Sequence, residues 1–152
     1  MSPRMKDDVT QLHSAVTVIM RALKIAEKGL QVAHRELNFV PADIQTLRFL
    51  ATHPACKLSD LAHHLGVVPT TASSIIDRLV DRGLVSRERP ESNRRSVSLD
   101  LTAAGKDAFS RLDAEEKATM QLMLDALSKE ERPAFVRAMS QIAAHVSTDG
   151  DT

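Results

Sequence analysis

Residues 58–80 read LSDLAHHLGVVPTTASSIIDRLV. Two short apolar patterns meet here at a turn. Leu61 and Leu65 mark the first; Ala72, Ile75, Ile76 and Leu79 mark the second, all at helical spacing. Ser59 is a candidate N-cap for a helix through Leu65, and Gly66 suits its C-terminal stop. Pro69 opens a second helix, where its missing N–H costs nothing, and Gly83 ends it. Ala62 is small where two helices must approach closely. The spacing is that of a helix–turn–helix.

In such a unit the second helix enters the major groove of DNA, led by its N-terminal half. That half offers Thr70, Thr71, Ser73 and Ser74. Their short hydroxyl side chains can bond base edges or phosphates. Arg78 lies one turn further on, better placed for a phosphate. A helical hairpin with a polar outer face would explain the same apolar positions. It would not explain what comes next.

Residues 84–102 read LVSRERPESNRRSVSLDLT. Arg87, Arg89, Arg94 and Arg95 crowd together, separated by turn-prone or polar residues. Leu84–Arg87 and Ser96–Leu101 read as two strands, with Val97, Leu99 and Leu101 alternating against Ser96, Ser98 and Asp100. The connection is too long for a two-residue turn, so its arginines are predicted to ride on a flexible loop. Alone, a basic loop reads as a solvated turn. Beside a helix–turn–helix it reads as a wing, able to reach the neighbouring minor groove.

Further out, Val9, Leu12, Val16, Ile19, Leu23, Ala26, Leu30, Ala33 and Leu37 alternate at spacings of three and four. That is an apolar stripe along one helix face. A helix of about 30 residues would be roughly 45 Å long, more than a small domain covers alone. Part of the stripe is therefore expected to meet another copy of the chain. Pro41 suits the start of a helix to about Thr52, with Ile44, Leu47, Phe49 and Leu50 apolar; HPAC then breaks it. Thr102 is placed to cap a helix to about Ala126. Ser128 and Glu131 have capping-box spacing for a last helix bearing Phe135, Met139, Ile142 and Val146. Pro133 in its early turns is a candidate kink. The tail from 148 to 152 is expected to be disordered.

At 152 residues the chain is long enough for one domain, or one domain plus an appendage, and 43% hydrophobic with 26% charged residues is the composition of a folded protein. No apolar run approaches the ~18 residues of a membrane span, so no membrane partner is expected. The N-terminus has no signal-peptide core, which predicts a cytoplasmic protein. Twenty basic residues balance twenty acidic ones. A DNA-binding reading therefore rests on where charges lie, not on their sum. The one cysteine, Cys56, excludes an internal disulfide and reads as a small semi-buried thiol. His63 and His64 are adjacent, so on a helix they point about 100° apart and do not pair as ligands. Cys56, His53 and His63 have no familiar metal-ligand spacing, and no cofactor is expected. No nucleophile elbow, phosphate-binding glycine loop or zinc hydrolase motif is present, so no catalysis is expected.

The stretches LSDLAHHLGV, SSIIDRLVDRGLV and NRRSVSLDLTAAG resemble the MarR family of transcriptional regulators, over roughly Pro41 to Gly105. The resemblance implies a mainly α (α+β) winged helix–turn–helix fold and a homodimer whose first and last helices interlock. It divides the chain into a dimerisation helix over 1–40, a DNA-binding domain over 41–101, and dimerisation helices over 102–147. It implies a repressor bound to double-stranded DNA at a pseudo-palindromic operator and released by a small aromatic or phenolic effector. Position by position, Arg95 becomes the wing-tip arginine in the minor groove and Arg94 its phosphate-reaching neighbour. Val16, Ile19, Leu23, Leu30, Ile142 and Val146 become dimer contacts. Arg48 or His13 could meet an effector carboxylate, though each reads better as an exposed polar residue, and neither is assigned to an effector.

Three positions depart from the family pattern. Asn93 stands where Asp usually holds the tip arginine, and Asn carries no charge. Val68 replaces the Ser or Asp that caps the recognition helix. Ser74 stands where a basic residue is common. The rival readings are a winged-helix protein–protein interaction module, and a redox- or metal-responsive regulator using Cys56.

Overall fold

A computed structural model describes residues 2–30, 36–89, 91 and 97–148. It contains α1 (Pro3–Leu30), α2 (Pro41–Thr52), β1 (Cys56–Lys57), α3 (Leu58–Leu65), α4 (Pro69–Asp81), β2 (Val85–Glu88), β3 (Ser98–Leu101), α5 (Ala103–Asp125) and α6 (Glu131–Thr148). The chain divides into two compact units, Met1–Glu115 and Glu116–Thr152. The division falls inside α5. Ala108 and Leu112, on the first half of α5, are buried in the core of the first unit.

That core joins Leu47, Phe49 and Leu50 of α2, Leu61 of α3, and Ile75, Ile76 and Leu79 of α4 to Leu84, Val85, Leu99 and Leu101 of the sheet. The helix periodicity read from the sequence is the periodicity of burial. Non-directional apolar packing accounts for this gathering of faces. Leu65 is only partly buried, packed against the core's edge.

The caps are local and largely as the sequence suggests. Gly66 takes up φ +64°, and its N–H reaches the Ala62 and His63 carbonyls. Only a residue without Cβ adopts this left-handed stop without cost. The α3 N-cap is a correction: the helix begins at Leu58, one residue before Ser59. The Lys57 N–H is met by the Asp60 carboxylate at 3.2 Å. A side chain three residues inside the helix therefore does the capping. Ser128 and Glu131 form their reciprocal box, at 2.9 and 3.3 Å. Pro133 produces no break, since α6 runs continuously over Glu131–Thr148. It lies in the first turn, where early backbone donors have no helical acceptor anyway.

The sheet has one strand more than the sequence reading supplies. Its order is β1-β3-β2, both pairings antiparallel. β1 pairs Cys56 with Leu99 and Lys57 with Ser98. Its entry is tied by the Ala55 N–H, which donates to the Asp100 carboxylate at 2.7 Å. Two residues carry no readable alternation, so HPAC shows only a break. The wing strands are shifted slightly from expectation, to Val85–Glu88 and Ser98–Leu101.

In the second unit, the Arg132 Nε donates to the Leu124 and Leu127 carbonyls at 2.9 and 3.3 Å. It thus satisfies acceptors left open where α5 ends. Met120, Leu122, Val136, Met139, Ile142 and Val146 are exposed there, as are Met5, Val9, Leu12, Val16, Ile19 and Met20 on α1. Among the described residues, no helix is long and apolar enough to cross a membrane. The expected disordered tail lies outside the described residues beyond Thr148.

Candidate nucleic-acid interface

Helix α4 is held by its apolar face, with Ala72, Ile76 and Leu79 fully buried. Its opposite face carries the candidate contacts. Thr70, Thr71 and Ser74 are exposed, and Ser73 is half-buried. The N-cap Val68 supplies no side-chain hydrogen bond. Pro69 has no N–H, and the Thr71 and Ala72 N–H groups donate to the Val68 carbonyl at 3.0 and 3.1 Å, so backbone rather than a side chain closes this turn. The Ser74 hydroxyl donates to the Thr70 carbonyl at 3.1 Å, so in this state its proton is committed to the helix.

Arg78 has a partner the sequence does not announce. Its guanidinium pairs with the Asp43 carboxylate of α2. Asp43 is 1% exposed, while 46% of the Arg78 side chain remains open. The guanidinium is thus anchored on one side and accessible on the other. One turn on, Arg82 donates to the Leu37 carbonyl and lies over the Phe39 ring at 4.4 Å. The signal for Asp43 is its place three residues after Val40, where its second oxygen accepts the Val40 N–H at 3.1 Å.

The wing is joined to α4 by charge. Arg87 of β2 pairs with Asp77 of α4 at 2.6 Å. Beside the pair lies an open cleft lined by Leu58, Ser73, Arg87, Arg89, Val97 and Leu99. Arg87 and Arg89 are two residues apart along an extended segment, so they share a side. Their alternation was available in the sequence; the cleft was not. Arg48 and His13, the two earlier candidates for an acidic effector, do not line it. The wing-tip assignments Asn93, Arg94 and Arg95 lie outside the described residues.

Of the dimerisation candidates, Val16 and Ile19 on α1 are 46% and 38% exposed, and Ile142 and Val146 on α6 are 54% and 61% exposed. Leu23 and Leu30 keep their backbone places on α1, and their side chains lie outside the described residues.

Among the described residues, Cys56 stands apart from any metal-holding group. The Cys56 thiol is buried. Burial first, then Asp60 and Asp100, push it up to about 11. It is therefore protonated at neutral pH, when the reactive form is the thiolate. His53 and His64 stack on the Phe49 ring at 4.2 and 4.5 Å. Among the described residues, no group of three or more His, Cys, Asp or Glu is placed to hold a metal ion.

The MarR family profile matches residues 41–97, which span the helix–turn–helix and most of the wing. The HTH-type transcriptional repressor MdtR of Bacillus subtilis is 29% identical over 141 residues, covering 91% of this chain and 90% of its own. The HTH-type transcriptional regulator YfiV of the same organism is 30% identical over 121 residues, covering 80% and 76%. Streptococcus pneumoniae FabT, solved in complex with DNA, is 21% identical and superposes with a TM-score of 0.76 over 92% of this chain and 98% of its own.

Proposed function

The chain belongs to the MarR family and is a DNA-binding transcriptional regulator, and from that premise we propose that it acts as a homodimeric repressor on a pseudo-palindromic operator. The observation that carries this is the pairing of an exposed hydroxyl-bearing helix with a basic wing strand through Arg87 and Asp77. Thr70, Thr71, Ser73 and Ser74 face the major groove, and the open side of Arg78 reaches a phosphate. Arg94 and Arg95 extend the wing to the minor groove, with Asn93 as a neutral support.

The exposed apolar residues of α1 and α6 are the surface a second copy would cover. Large apolar side chains left open to water on a helix favour association over solvation. Two copies then present two α4 helices about one helical turn apart. Release by a small aromatic or phenolic acid is the regulatory half of the reading. The cleft with Arg87 and Arg89 supplies cations for its carboxylate.

Selection of bound fragments from a random-sequence DNA pool tests the proposal. A palindromic consensus, bound with an affinity that falls steeply as salt rises, is the expected result. Enrichment of no sequence at low salt would leave a winged-helix protein-interaction module as the better reading.

A further inference from the structure

Residues 36–43, the lead-in and first turn of α2, are tied to the C-terminal end of α4 and to α5 by several polar contacts. The Glu36 carboxylate pairs with Arg111 of α5 at 2.6 Å. The Leu37 carbonyl and the Phe39 ring both engage Arg82. The Val40 N–H and Arg78 share the two oxygens of Asp43. Arg78, in the last turn of α4, and Arg82, its C-cap, are one turn apart and so share one side of the helix end.

We propose that Asp43 and Arg82 are positioning residues for DNA recognition: they lock the rotation of α4 relative to the 36–43 junction, and so set the half-site spacing that the dimer accepts. The inference rests on the reading above, in which α4 enters the groove and two copies act together.

The physical reason is directionality. Leu47, Leu61, Ile76 and Leu79 already bury the helix, but apolar contact is indifferent to small slides and rotations. A buried carboxylate held by two donors from different elements is not. Moving α4 would strip Arg78 from Asp43, leaving an unpaired charge in the core. Arg82 fixes the same helix at a second point, and two points on one face define an orientation. The half-exposed Arg78 pair adds little stability by itself; what it adds is geometry. Residues 36–40 lie between α1 and α2 in sequence. A turn of α4 within each protomer changes the angle at which the paired helices meet successive grooves, and with it the spacing they accept.

The test uses the full-length protein and a DNA fragment selected by the wild type, with derivatives carrying one or two base pairs added or removed between half-sites. Binding is read by fluorescence anisotropy. The wild type should discriminate sharply between native and altered spacing. Asp43→Asn and Arg82→Ala should each lose about tenfold on the native fragment, the scale of one charge-assisted tie. They should also lose much of the spacing discrimination. Arg82→Ala leaves no buried charge behind, so it decides the matter alone if Asp43→Asn does not fold. Variants that keep the wild-type ratio between native and altered spacing would overturn the clamp, whatever their absolute affinity. A wild type with no spacing preference would overturn the reading of paired helices, and the clamp with it.

Discussion

Gly105, in the first turn of α5, lies directly against the backbone of Leu84: a Cβ at Gly105 would fall 2.0 Å from the Leu84 carbonyl oxygen. The neighbour is backbone, not a flexible side-chain end, so it cannot yield cheaply. This contact seats the helix against the start of the wing.

Gly105→Ala should therefore destabilise the protein although alanine favours helix. The propensity gain is about 1 kcal/mol, while overpacking a rigid site costs about 1–3 kcal/mol or above. A lower urea midpoint is expected. A raised midpoint would show that α5 can shift away from Leu84.

Thr102 secures the same corner. Its hydroxyl donates to the Gly83 carbonyl at 2.6 Å and accepts the Gly105 N–H at 3.0 Å. Thr102→Val keeps the shape and removes both bonds, at a cost of about 1–2 kcal/mol. Thr102→Ser should restore most of it. Equal loss in both variants would assign the effect to packing of the methyl group.

Cys56 makes stability depend on alkaline pH. Its folded thiol titrates near 11, against 9.0 for the ordinary group. Between these values the unfolded chain gives up its proton first. The contribution is thus fully present below pH 9 and is lost as pH rises towards 11. Thermal unfolding across this window should fall more steeply for wild type than for Cys56→Ala. Alkylation of the native protein at pH 8 should be slow, and rapid labelling would revive a redox role.

Val16→Glu combined with Ile19→Glu places two charges on the exposed α1 stripe. Light scattering should then report a monomer, against the dimer proposed for the wild type, because an interface that buries unpaired carboxylates does not close. A dimer of unchanged mass would exclude this stripe from the interface.

Arg95→Ala should weaken binding to the selected DNA by roughly 1–3 kcal/mol, as for other groove-reading arginines. Undiminished affinity would remove Arg95 from recognition. Asn93→Asp restores the family's charged support, and tighter binding is the expected direction.

The helix–turn–helix was readable because its signals are local. Apolar spacing, Gly66, Pro69, Thr102 and the Ser128–Glu131 pair each act within a turn or two of chain, so the sequence displays them directly. The two-residue strand β1 was not readable, since its existence depends on pairing with Leu99 and Ser98 far along the chain. Nor was the α3 cap, where Asp60 reaches back to Lys57 past the more obvious Ser59.

The arginines divide along the same line. Their crowding around the wing is written in the sequence, and with it, beside a helix–turn–helix, the expectation of a phosphate-rich partner. Which of them are already engaged is not. Arg78 meets Asp43 across 35 residues of chain, and Arg82 meets Leu37 across 45. Such partners are chosen by how α2 and α4 cross after the core has closed. Sequence alone determined the helices, the wing hairpin and their polar faces, because propensity and periodicity are short-range. Only the tertiary structure decided which charges are anchored and which stay open to DNA, because electrostatic pairing follows distance in space.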